Sequence, residues 1–70
     1  MAAARERLRQ RAPQLSERER EVCARLAIGM TQDGTAADLG VAASTVATLR
    51  QRAYAKLGLS SRVALARLAA

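Results

Sequence analysis

At 70 residues, half of them apolar and mostly Ala, Leu and Val, the chain has room for one all-helical domain and too little for an α/β enzyme with a substrate pocket. Twelve Lys and Arg against six Asp and Glu give a formal charge of +6, which fits a polyanionic partner, nucleic acid before a membrane surface. With no His and a single Cys, at position 23, the chain is denied Cys–His and Ser–His catalysis, His-ligated zinc and an internal disulfide; no enzyme and no cofactor is expected, and a lone thiol fits a reducing cytoplasm.

In chain order, residues 1–14 read as a linker or the tail of a missing upstream domain. Arg5, Arg7, Arg9 and Arg11 alternate around Glu6, and alternate residues do not share a helix face. The segment could be helical, but Pro13 closes it, because the residue before proline avoids the α region. A basic arm touching phosphates is a second use for it. The expected domain is 15–70, with helices near Ser16–Ile28, Thr31–Leu39, Ala43–Leu57 and Ser61–Leu68 and no strands. Ser16-Glu17-Arg18-Glu19 is a capping box, in which the Ser hydroxyl takes an orphan N–H and Glu19 reaches back to the Ser N–H. Val22, Cys23, Leu26 and Ala27 then make an apolar stripe, and Gly29 stops the helix. Thr31 caps the second helix, Gly40 and Gly58 stop the second and third, and Ser61 opens the fourth.

The middle of the chain carries the spacing of a helix-turn-helix, in which two helices cross steeply over a short turn. The first helix must be small where they cross, which is Ala36. Leu39 points into the shared core, Gly40 supplies the positive φ the turn needs, and Val41 plugs the core beneath it. Val46 and Leu49 of the second helix pack back. Laid out at 100° per residue, the helix Ala43–Leu57 places Val46, Leu49, Arg50, Ala53 and Leu57 on a packed side. Ser44, Ala47, Thr48, Gln51 and Ala55 lie opposite, with Arg52 on the flank. A small, polar outer face suits insertion into the major groove, where Gln pairs with adenine and Thr bonds a base edge or touches a thymine methyl. Base-facing roles are therefore expected for Ser44, Ala47, Thr48 and Gln51, and phosphate contacts for Arg50, Arg52 and Lys56 on the flanks. Thr31 lies where a helix N-terminus favours an anion.

These residues resemble the LuxR-type (GerE-like) helix-turn-helix domain. The likeness runs from Leu15 to about Leu68 and is carried by Leu15-Ser16-Glu17-Arg18-Glu19, Gly29-Met30-Thr31, Ala36, Leu39-Gly40-Val41, Thr45-Val46, Lys56-Leu57-Gly58-Leu59 and Ser61-Arg62. The resemblance implies four helices, the third in the major groove of double-stranded DNA and the fourth often a two-fold dimer contact. It implies that Thr31 and Thr45 sit near phosphates, and that a sensory domain precedes the segment. The expected whole is the cytoplasmic output domain of a bacterial transcription regulator, homodimeric on DNA, with RNA polymerase kept open as a further partner. Val63, Ala64, Leu65 and Leu68 are the expected dimer contacts, because they carry more apolar surface than a short helix needs internally. Departures from the family pattern are specific: Ser44 and Ala47 stand where Lys is common, and Leu49 where His is. Arg20 replaces an apolar residue, Thr35 a bulky aliphatic, and Asp33 a frequently basic contact.

Two other readings compete. The promoter-reading final region of a sigma factor has a similar helix-turn-helix, but generally lacks the helix after Gly58. A helical dimerisation or protein-interaction module would use the Ala/Leu face of residues 62–70. A membrane-surface helix is disfavoured, since Tyr54 is the lone aromatic.

Overall fold

The computed structural model describes all residues, 1–70, and contains five helices and no strand. They are α1 (Ala2–Arg11), α2 (Glu17–Ala27), α3 (Gln32–Leu39), α4 (Ala43–Leu57) and α5 (Arg62–Ala69). The all-helical expectation holds, and the four expected helices appear as α2 to α5 within a residue of their expected ends. Their boundaries are set by local chemistry. Ser16 Oγ accepts from the Glu19 amide at 3.1 Å while the Ser16 amide donates to Glu19 Oε1 at 2.8 Å, so the capping box is complete. Thr31 Oγ1 accepts from the Gly34 amide at 2.9 Å, and Ser61 Oγ from the Ala64 amide at 3.2 Å. Gly40 closes α3 with φ 69° and ψ 35°, the left-handed conformation expected of it.

α2 is the hub, packing against all four other helices. Its Val22, Cys23, Ala24 and Leu26 are buried, as are Glu19 and Arg25. α3 and α4 cover one side of it; α1 and α5, which also touch each other, cover the other. Ala36 is buried where α3 meets α4, opposite the buried Val46 and Ala53, with Leu39, Val41 and Leu49 half-buried around them. α4 packs only against α2 and α3, so its remaining surface is left open.

The amino-terminal segment differs from the linker expected. Ala4, Leu8 and Ala12 are buried, Leu8 completely, and join the core through α1. They recur every fourth residue, one helix face, and the intervening arginines hide that stripe from a reading that attends to charge. Arg11 donates to the carbonyls of Leu68 at 2.9 Å and Ala70 at 2.7 Å, tying α1 to the last turn of α5. Pro13 does close the segment, just past the end of α1.

Candidate nucleic-acid interface

The open surface of α4 collects most of the residues singled out for binding. Ser44, Thr45, Thr48, Gln51, Arg52 and Ala55 are exposed, and Ala47 is half-buried. The Thr48 hydroxyl donates to the Ser44 carbonyl at 3.1 Å, so outward it presents its methyl and an acceptor lone pair. Ala42, the N-cap of α4, offers no side-chain cap, so the amides of Ala43 and Ser44 are uncommitted where the helix dipole favours an anion. Thr31 is exposed at the start of α3, its hydroxyl already used as the cap. Side chains able to read a base edge and helix ends able to receive a phosphate thus share one side of the molecule.

Two of the expected phosphate contacts are partly committed within the protein. Arg50, half-buried, donates from Nη1 to Gln32 Oε1 at 3.1 Å, and Gln32 Nε2 donates to the Ala43 carbonyl at 3.3 Å. This bracket fastens the start of α3 to the start and middle of α4. Lys56 is not the free flank expected: its Nζ meets Glu19 Oε1 at 2.7 Å. Glu19 is buried at 3% exposure, and an unpaired carboxylate there would be costly, so it draws in the ammonium within reach. Burial pushes the Glu19 pKa up, but hydrogen bonds from Lys56 and Ser16 outweigh it and hold the group below its ordinary value. Arg52 is exposed and pairs with no carboxylate, so its charge is available.

The expected dimer contacts divide. Leu65 is completely buried and cannot meet a partner, because α5 turns that face inward against α1 and α2. Ala64 and Leu68 are half-buried, Leu68 packing on the core, and Val63 alone stands out, at 62% exposure. The apolar excess counted on α5 is largely covered by α1 and α2 together. Cys23 is buried, and its thiol is pushed up to about 11, first by burial and then by the charge of Glu19, so it is no nucleophile. No group of acidic, Cys or His side chains is arranged to hold a metal, and no helix is long and apolar enough to cross a membrane.

The sequence profile of bacterial regulatory proteins, luxR family, matches residues 13–69. That covers α2 to α5 and most of the chain. The chain belongs to the luxR family. Among its relatives are proteins named "Probable transcriptional regulatory protein NarL" from two strains of Mycobacterium tuberculosis, CDC 1551 / Oshkosh and ATCC 25618 / H37Rv. Each is 57% identical over 53 residues, covering 76% of this chain and 24% of the relative. The chain therefore spans about a quarter of the length of these relatives. No solved structure matches it.

Within the luxR-family domain, three connections escaped the sequence reading. They are the Gln32 bracket, the Glu19–Lys56 pair, and Arg62, which donates from Nε to the Leu26 carbonyl at 3.0 Å and from Nη2 to the Met30 carbonyl. Each joins residues at least 11 positions apart. The one signal available was type: Gln32 and Arg62 each directly follow a capping residue, where a long side chain can reach back over its neighbours.

Proposed function

We propose that this domain binds double-stranded DNA sequence-specifically, with α4 in the major groove, as the output domain of a transcription regulator. The single observation that carries the reading is the open face of α4, left bare by every other helix and lined by Ser44, Ala47, Thr48 and Gln51. Membership of a family of regulatory proteins supports it, as do relatives named as transcriptional regulators. Gln51 and Thr48 read base edges; Ser44 and Ala47 let the backbone approach closely. Arg50, Arg52, Thr45 and the N-terminal end of α3 at Thr31 face phosphates, and Lys56 adds charge from its place beside Glu19. Part of the positive charge excess then finds its partner along two phosphate strands.

An upstream sensory domain, which the greater length of the relatives supports, would sit before α1 and control access to this face or pairing of two copies. Pairing on DNA would draw on the outer side of α5 at Val63 with Ala64 and Leu68 at its edges, with half-sites about 10 bp apart. RNA polymerase is a further partner of such a regulator, and the cytoplasm its compartment.

The test is one salt titration of parent, Arg52→Ala and Gln51→Ala against a selected and a scrambled duplex. Parental log K should fall with log salt by about 0.9 per phosphate contacted. Arg52→Ala should weaken both duplexes alike and flatten the slope by about one unit. Gln51→Ala should cost about 1–3 kcal/mol on the selected site and little on the scrambled one. A parent that binds neither duplex at low salt, as monomer or dimer, hands the function to the interaction-module reading.

A further inference from the structure

Beside the open face of α4 lies a groove of about 580 Å³, walled by α4 and by the segment that leads into α5. Gln51 belongs both to its wall and to the outer face of α4. Arg50 enters from the α4 side and Arg62 from the other, while Gln32, Tyr54, Ser60 and Ser61 complete the polar lining. No Asp or Glu lines it, and neither Arg50 nor Arg62 pairs with a carboxylate anywhere in the molecule. Two guanidiniums facing one cavity repel each other, and folding does not compensate them with an acid of the protein's own. Both are held in place by neutral acceptors instead: Arg50 by Gln32 Oε1, Arg62 by the carbonyls of Leu26 and Met30. A guanidinium has five N–H donors, so these bonds orient each fork and leave N–H groups unspent. The Tyr54 hydroxyl reports that the charges converge: burial, and then Cys23, raise its pKa, while Arg50 and Arg62 both act to lower it.

We infer that this groove is a phosphate-binding site, with Arg50 and Arg62 as its two charged ligands and Ser60 at its rim. The inference rests on the DNA-binding reading for one of its two sources of phosphate, a phosphodiester of the strand running past Gln51. The other source is a free phosphate or a small phosphorylated molecule, which the same donors would hold. It adds Arg62 and Ser60, neither of them on α4, to the residues that decide affinity, and it makes the start of α5 part of the binding surface.

Tyr54 is the only aromatic residue, so its ring gives an unambiguous NMR signal inside the groove. The folded domain is titrated separately with inorganic phosphate and with duplex, following the Tyr54 ring together with the Thr48 and Gln51 signals. A Tyr54 shift with duplex alone assigns the phosphodiester as ligand; a shift with inorganic phosphate assigns the free source. Thr48 and Gln51 shifting with duplex while Tyr54 stays still under both probes overturns the groove and leaves DNA binding standing. If duplex moves none of the three, the DNA reading fails and the phosphate arm alone decides the groove. Arg62→Ala is a poor variant, because Arg62 also holds the carbonyls of Leu26 in α2 and Met30 in the connection to α3. Ser60 is exposed, and Ser60→Glu places a carboxylate at the rim without disturbing the core. That change should abolish the Tyr54 shift with whichever probe causes it and, for the phosphodiester, weaken duplex binding roughly three- to ten-fold at low salt. A Tyr54 shift of the same size and midpoint in Ser60→Glu overturns the assignment.

Discussion

Two buried side-chain polar atoms in this domain have no hydrogen-bond partner, Arg20 Nε and Thr35 Oγ1. They fall at the two positions where the sequence departs from an apolar family preference, so a departure legible in sequence has a physical counterpart in the structure. Arg20 eases its position by donating to the Leu15 carbonyl at 3.4 Å and remaining half-exposed. Thr35 has no such outlet, being fully buried. Arg25 shows what a satisfied buried polar residue looks like: it holds Asp38 at 2.6 Å and the Glu21 carbonyl at 2.9 Å, fastening α3 to α2. Thr35→Val, nearly isosteric, should therefore stabilise the fold by about 1 kcal/mol by removing an unpaired hydroxyl. For a domain of this size that is a melting-temperature rise of about 4–8 °C. Calorimetry showing a fall would mean that the hydroxyl has a partner, such as a bound water.

Single elements are governed by their ends. At Gly40 an added Cβ would meet nothing within 4 Å, so a substitution there suffers from its own backbone and not from crowding. Left-handed φ costs an ordinary residue about 1–2 kcal/mol, a β-branched one more, and Asn least. Urea denaturation should therefore rank Gly40→Asn above Gly40→Ala above Gly40→Val in stability. Equal losses in all three would point to packing instead of conformation. At the start of α2, Glu19 serves both the cap and Lys56, and its folded pKa lies below the ordinary 4.5. A lowered carboxylate pKa contributes stability that is complete above the unfolded value and is lost as pH falls through the folded one. Glu19→Gln can keep the reach-back bond to Ser16 but removes the charge pair. Because Lys56 is 43% exposed, the loss at neutral pH should be modest, about 0.5–1 kcal/mol. The gap between parent and variant should close on acidification, as pH falls below 4.5 and through the lower folded value. A gap that stays constant across that range would show that the charge pair contributes nothing.

Across the whole molecule, α2 is wrapped from two sides, and the two sides differ in how visible they were. The α3/α4 side is the helix-turn-helix, built from short-range caps and a left-handed glycine. The α1/α5 side depends on Leu8 and Leu65, both fully buried and 57 positions apart, and on Arg11 at the end of α5. Leu8→Ala should lower stability by about 2–4 kcal/mol, a large share of what a domain of this size possesses. Were residues 1–12 a mere linker, the same change would leave the melt untouched. Its effect on duplex affinity, measured well below the melt, should be small, since α1 does not touch α4.

Most of what acts over a few residues was legible in the sequence, the Ala4, Leu8 and Ala12 stripe excepted. The Ser16–Glu19 box, the Thr31 and Ser61 caps, the turn at Gly40 and the outer face of Ala43–Leu57 follow from spacing and residue type, and the structure places them as read. How residues distant in sequence share a limited supply of partners became visible only once the helices were packed. Buried Glu19 draws in Lys56, 37 positions away, so a residue expected at phosphate is also an ion-pair partner. α1 docks on α5 and takes Leu65 from the expected dimer face. Arg62 reaches the carbonyls of Leu26 and Met30 and thereby comes to face Arg50 across a groove. Caps and turns are satisfied by neighbours in the chain, so their chemistry is written locally. A buried charge or an apolar face accepts whatever the folded chain brings within a few ångströms, and that is known only once the helices are packed.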